Sequence, residues 1–247
     1  HEEYGFKPLP QDVEAAITPK TKWLLLNYPS NPTGSVATHA ELLALGETLL
    51  RHPHIWIMTD DIYEHLLYDG VKFWTLAQVE PRLYDRVLTV NGVSKAYSMT
   101  GWRLGWLVVP EAYVDAVTRL AQNLFLAPST VAQYAALAAF LPETQAELAQ
   151  RRQVFAQRRD FLQAALPELG FALSGAPEGA FYLYVDVSRH TDDSFGFARR
   201  LLDEAHVAVA PGCDFGQHAA SRHIRLAYTT DIPRLAEAVA RIKAWLG

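Results

Sequence analysis

The feature that most constrains this chain is a repeated alternation of short apolar runs with longer amphipathic stretches. Trp23–Asn27 is apolar and bounded by turn-forming residues, which predicts a buried strand. Pro29–Gly34 follows as a turn. Thr38–Arg51 then places Leu42, Leu43, Leu45, Leu49 and Leu50 at helical spacing behind Thr38, a suitable N-cap. Ile55–Thr59, Val87–Val90 and Leu104–Val109 read as further strands, and a helix carrying Val114, Val117 and Leu120 begins at Pro110. This rhythm predicts an α/β fold with a mainly parallel sheet. In such sheets ligands sit at the carboxyl ends of the strands.

A second region begins with the helix expected over Pro142–Leu166 and closed by Pro167. Its Leu148, Phe155 and Leu162 recur every seven residues, the spacing of a docking stripe along one face. A strand at Phe181–Val187, a helix at Asp193–Ala205, strands at Val207–Ala210 and His223–Tyr228, and a helix at Ile232–Leu246 complete a smaller α+β domain. The domains expected are therefore residues 1–141, a connecting helix over 142–166, and 167–247. The chain opens on His1 and carries Met only at positions 58 and 99, so its N-terminal part is expected to be missing.

Charge and cysteine content narrow the partners. The 247 residues carry 22 Lys plus Arg against 27 Asp plus Glu, a net charge of −5, which argues against a dedicated nucleic-acid binder. No apolar run approaches the ~20 residues of a membrane span, and the opening residues lack a signal-peptide pattern. Cys213 is the one cysteine, so neither an intrachain disulfide nor an all-cysteine metal site can form. A cytoplasmic chain with no metal and no membrane partner is the expectation. Four partial motifs are set aside. His1–Gly5 lacks the second histidine of a zinc-protease helix. Asp214-Phe215-Gly216 has no kinase loops around it, and Gly92–Ala96 ends in Ala where a nucleophile elbow has Gly. No Walker A sequence occurs.

Four segments carry the chemistry: Asn27–Gly34 (NYPSNPTG), Thr59–Glu64 (TDDIYE), Ser94–Gly105 (SKAYSMTGWRLG) and His223–Tyr228 (HIRLAY). Each follows or occupies an expected strand. Together they resemble the signature segments of the class I/II aminotransferases, fold-type I enzymes that use pyridoxal 5′-phosphate. Pro177–Tyr182 and Pro211–Gly216 resemble that family's C-terminal domain. The resemblance covers nearly the whole chain and lacks the family's N-terminal part. It implies a three-layer αβα large domain, here incomplete, with a smaller α+β domain.

The resemblance assigns roles residue by residue. Lys95 is implied as the Schiff-base lysine, a desolvated amine able to hold the cofactor aldehyde and then to move a proton. On its own a lone lysine reads more readily as an exposed loop residue, although here it sits just beyond a buried strand and Gly92 allows close backbone approach beside it. Asp60 is implied as the partner of the pyridine nitrogen. By composition Asp61 has an equal claim, and either reads as a turn or cap aspartate. The family's order, an aspartate with tyrosine three residues on, selects Asp60 and makes Tyr63 a donor to the cofactor's phenolic oxygen. The alternative for Tyr63 is a half-buried core tyrosine. The family often has Glu where this chain has Asp61. Asn31, flanked by Pro32 and Gly34 in the Asn-Pro-Thr-Gly turn, is implied as a second donor to that oxygen. Its alternative is a plain Asx-Pro turn.

Arg103 is implied as a phosphate ligand. A serine that some members place three residues before the lysine is Gly92 here. Arg225 is implied as the clamp for the substrate α-carboxylate, against the alternative of a strand arginine in a surface ion pair. The phosphate-cradling loop, the ring-stacking aromatic and a cross-subunit tyrosine of the family would lie before His1.

The reading that follows is a homodimeric aminotransferase of amino-acid metabolism, moving an amino group between an α-amino acid, with aspartate the leading donor, and a 2-oxo acid. The alternatives are a β-lyase of the same fold, the aminotransferase-like effector domain of a transcription regulator, and an inactive fragment. Leu124–Phe140 is apolar enough to serve a subunit interface or a monomer core.

Overall fold

The alternating pattern resolves, in a computed structural model that describes residues 2–247, into two four-stranded sheets in two bodies. His1, and with it the first residue of the discarded zinc-protease motif, lies outside the described residues.

The first body comprises residues 7–29 and 36–150. It contains α1 (Pro10–Ala16), β1 (Trp23–Asn27), α2 (His39–Leu50), β2 (Trp56–Asp60), α3 (Leu76–Val79), β3 (Val87–Gly92), β4 (Gly105–Val108), α4 (Glu111–Leu124) and α5 (Thr130–Ala139). The strands lie in sequence order, β1 and β2 parallel to their neighbours up to β3, with β4 returning antiparallel. β1 and α8 (Ile232–Leu246) match the expected bounds, and the other expected helices and strands shift by a residue or two except the strand expected at Val207–Ala210.

Thr38 caps α2 through a capping box: its hydroxyl accepts from the Glu41 N–H at 3.2 Å and its own N–H donates to Glu41 Oε2 at 2.7 Å. Beyond the other end Arg86 donates to the carbonyls of Leu49, His52 and Ile55 at 2.9–3.1 Å and ties the last turn of α2 to the segment that leads into β2. The leucines of α2 pack with Leu26 of β1 and Ile57 of β2 in the core of this body. The other face of the strands is more open: Leu25 is 68% exposed, and Trp23 is exposed beside Trp56. Leu124, Phe125, Leu126, Val131, Tyr134 and Leu137 of the α4–α5 region are exposed as well, whereas Ala132, Ala136 and Ala139 of α5 are buried, so Leu124–Phe140 has one buried and one exposed apolar side.

The 24-residue α6 (Pro142–Ala165) contributes 142–150 to the first body and 151–165 to the second. The second body also contains residues 2–6 and 30–35 and everything from 166 onward. Its elements are β5 (Ala172–Leu173), β6 (Tyr182–Asp186), α7 (Ser194–Ala205), β7 (Ala210–Pro211), β8 (His223–Ala227) and α8. The sheet is antiparallel in the order β5-β6-β8-β7. Of the strand expected at Val207–Ala210, only Ala210 pairs, together with Pro211. The α6 stripe is partly realised: Leu148 and Leu162 are buried, and Phe155 stacks on Phe181 at 5.9 Å between ring centroids. No helix among the described residues is long and apolar enough to cross a membrane.

Candidate active site

The expected site residues divide between the bodies: Asp60, Tyr63, Lys95 and Arg103 belong to the first, Asn31 and Arg225 to the second.

In the first body, β2 ends at Asp60 and β3 at Gly92, so the residues that follow emerge at the carboxyl ends of parallel strands. The Asp60 carboxylate accepts one hydrogen bond from the Ile62 N–H at 3.3 Å, the contact of a turn aspartate. Burial raises its pKa, and the Ile62 bond and the charge of Lys95 draw it partly back. Asp60 also lines a cavity of about 260 Å³ with Leu25, Leu26, Asn27, Met58 and Val90. Asp61 is buried, and its pKa is pushed up to about 7 by burial, with the neighbouring charges of Glu64 and Asp60 adding to the effect. Tyr63 is buried, not half-buried.

Lys95 is partly buried on the turn that joins β3 to β4. The turn is closed by backbone bonds from Ser98 to Lys95 at 3.2 Å, Met99 to Val93 at 3.3 Å and Val93 to Leu104 at 3.2 Å. A Cβ on Gly92 would lie 3.0 Å from the Leu104 carbonyl oxygen, so a side chain there would press on the Leu104–Gly105 backbone and push it back by a few tenths of an ångström. Arg103 has left-handed backbone (φ 52°) and is exposed. Its Nη1 donates to the Thr100 carbonyl at 3.0 Å, and it lines another cavity, of about 730 Å³, with Trp102, Phe125 and Pro128. The fold thus puts Asp60 and Lys95 at the carboxyl ends of neighbouring parallel strands and turns Arg103 toward a different cavity.

In the second body, two segments singled out separately in the sequence dock together. The turn at Ser30–Ser35 is closed by bonds between Ser30 and Ser35 and between Gly34 and Ser30, each 2.9 Å, and Asn31-Pro32 is a cis peptide. Gly34 (φ 71°) accepts from the Gly179 N–H at 2.9 Å, and a Cβ there would meet Gly179 and Pro177 at 3.0 Å. The buried Arg159 donates to the Pro177 carbonyl at 3.3 Å and steadies the segment from behind.

Asn31 is thereby presented to Arg225 of β8, whose Nη1 donates to Asn31 Oδ1 at 2.7 Å. The Arg225 guanidinium carbon lies 4.4 Å from the centre of the Tyr182 ring and 4.8 Å from that of Phe215. Among the described residues its hydrogen bond is to Asn31 and not to a carboxylate. The two rings were not singled out in the sequence, although both lie in segments that were. Their signal was the recurrence of aromatic residues beside β8 in the register that pairs Tyr184 with Arg225.

Glu2, Asp186 and His223 also bring their ligand atoms within 4.8 Å of one another. Arg222 pairs with both carboxylates, with Nε 3.0 Å from Asp186 Oδ2 and Nη2 on Glu2, so an arginine already supplies the positive charge there.

The sequence model described as aminotransferase class I and II matches residues 1–242. The chain belongs to the class I and II aminotransferases. Among curated relatives of this family, an aspartate/prephenate aminotransferase from Cereibacter sphaeroides is 48% identical over 98% of the chain and 62% of its own length. An aspartate aminotransferase from Rhizobium meliloti is 42% identical over 97% of the chain and 60% of its own length. The chain therefore spans about three-fifths of the relatives it matches. Among solved structures, the aspartate aminotransferase of Rhizobium meliloti superposes with a TM-score of 0.90 at 40% identity, over 100% of the chain and 63% of its own. The aspartate aminotransferase of Thermus thermophilus with maleate gives 0.90 at 39% identity, over 99% and 62%. The α/β class with a parallel-rich sheet, read from the strand rhythm, is that of these neighbours.

Proposed function

We propose that the complete protein is a pyridoxal-phosphate-dependent aminotransferase that moves an amino group between an α-amino acid, aspartate foremost, and a 2-oxo acid. The single observation that carries this reading is the placement of Asp60 at the carboxyl end of β2 and of Lys95 just beyond that of its parallel neighbour β3. The residues fit the cofactor: Asp60 is a desolvated carboxylate with one backbone partner shown, an arrangement that a cationic ring N–H would stabilise. When bound, the cofactor supplies an aldehyde for the amine and an electron sink for the carbanion formed at the substrate Cα.

The chain's own residues do the rest. Lys95 holds the aldehyde at rest and moves the Cα proton once substrate has displaced it. Asn31 accepts from Arg225 through its Oδ1, and its amide N–H₂ is assigned as a donor to the phenolic oxygen. Tyr63 is assigned to the same oxygen and Arg103 to the phosphate. Arg225 takes the substrate carboxylate in a forked pair and sets the orientation of the Cα–H bond.

In this reading residues 1–141 belong to the large domain, 142–166 to a connecting helix and 167–247 to the small domain. The enzyme works as a homodimer in the cytoplasm, and the exposed apolar face of α4 and α5 suits a subunit contact. The test supplies the complete protein with pyridoxal phosphate, L-aspartate and 2-oxoglutarate. Equimolar oxaloacetate and glutamate support the reading. Ammonia released without glutamate would replace it with the lyase alternative, and no turnover of any amino acid would remove the enzymatic reading altogether.

A further inference from the structure

We propose that Tyr182 and Phe215 are positioning residues for the carboxylate clamp, their ring faces fixing and desolvating the Arg225 guanidinium. This rests on the reading of Arg225 as the substrate-carboxylate contact.

An arginine side chain is long and loses considerable freedom when one geometry is imposed on it. Three features impose one here. Asn31 takes one hydrogen of Nη1 at 2.7 Å. The rings of Tyr182 and Phe215 approach the guanidinium carbon to 4.4 Å and 4.8 Å. The Nε atom is shut away from solvent and has no partner among the described residues, an arrangement that is unfavourable on its own. The negative ring faces offset it by attracting the cation.

The sheet register places Tyr182 for this task. Tyr184 of β6 faces Arg225 of β8, and Tyr182 lies two residues along on the same face, within diagonal reach. Phe215 is delivered by the turn after β7, closed by its N–H on the Gly212 carbonyl at 2.9 Å. That turn is packed so closely that a Cβ on Gly212 would come 2.3 Å from the Ala220 carbonyl oxygen. Both rings are thus held by backbone that has little freedom to give. The Nη1/Nη2 edge is left to meet a carboxylate, and water is kept from the faces of the ion, which strengthens its attraction for that carboxylate.

The clamp meets the α-carboxylate of the amino acid and of the 2-oxo acid alike, so loss of a ring acts on both substrates. In the complete holoenzyme, Phe215→Leu and Tyr182→Leu are expected to raise KM for donor and acceptor together by about tenfold, with a much smaller change in kcat. Phe215→Tyr and Tyr182→Phe, which keep a ring, should restore KM to within about twofold. Replacing Phe215 in turn by mono-, di- and trifluorophenylalanine drains the ring face of negative charge at nearly constant shape. KM should then climb stepwise, and this series stands even if a leucine variant fails to fold. A flat fluorination series, or a loss of kcat at unchanged KM, overturns the proposal. Arg225→Lys separates the two levels. If it leaves KM unchanged, the clamp reading itself falls; if it raises KM while the ring variants do not, only the role of the rings falls.

Discussion

Arg225 Nη1 donates to Asn31 Oδ1 at 2.7 Å, a bond between side chains 194 positions apart in the sequence. Its acceptor is aimed by a turn whose glycine fits only because it lacks a Cβ. Asn31→Ala removes the acceptor and leaves the guanidinium held by its rings alone. In the complete enzyme, KM for the amino-acid substrate is expected to rise about tenfold, the effect of losing one hydrogen bond to a charged group. Steady-state kinetics with donor and acceptor varied separately check this, and an unchanged KM would detach the bond from substrate binding.

Lys95 is the one residue whose loss is expected to abolish turnover outright. Borohydride reduction of the complete protein with pyridoxal phosphate should add the cofactor's mass to the peptide containing Lys95. Lys95→Ala should show no such addition and no absorbance band bleached by an amino acid. Mass on another peptide would move the anchor elsewhere.

Asp61 links stability to pH. Its folded pKa stands near 7 against 3.8 for an ordinary aspartate, so the folded chain holds a proton that the unfolded chain has released between these values. Stability from this group is present below the unfolded pKa and falls as pH rises through the folded one. Asp61→Asn keeps the position neutral. The variant should be more stable than the parent at pH 8 by roughly 2–4 kcal/mol, and the gap should close toward pH 4. Urea midpoints across that range measure it, and a gap independent of pH would show that the carboxyl does not titrate there.

Thr38→Ala breaks both halves of the α2 capping box at once. The expected cost is about 1 kcal/mol, read as a lower urea midpoint with an unchanged slope. Loss of slope together with midpoint would point to a wider disturbance than a frayed helix end.

What the sequence disclosed follows from which interactions are local. The apolar run Trp23–Asn27 and the Thr38 cap announce β1 and α2 because period, cap and turn residues all lie within a few positions of one another. The placement of Asp60 and Lys95 was legible because Asp60 ends its strand and Lys95 lies three residues beyond the end of the next. The docking of Gly34 onto Gly179, and the two rings around Arg225, depend on sheet register and on residues far apart in the chain. No short window carries that information. Val207–Val209 was read as a strand from its apolar pattern, yet pairing starts only at Ala210, since pairing needs a neighbour and pattern alone does not supply one.

The interleaving of the two bodies sets an order of events at the ribosome. Every residue of the first body has been made once Gln150 is added. Residues 2–6 and 30–35, by contrast, belong with 151–247 and must wait for them. At the usual pace of translation that wait lasts about 5–20 s. Throughout it the Asn31 turn has no Pro177 segment to dock against and no Arg225 to hold. The Asn31–Arg225 contact is therefore among the last features of the chain to form, well after β2 and β3 have been synthesised.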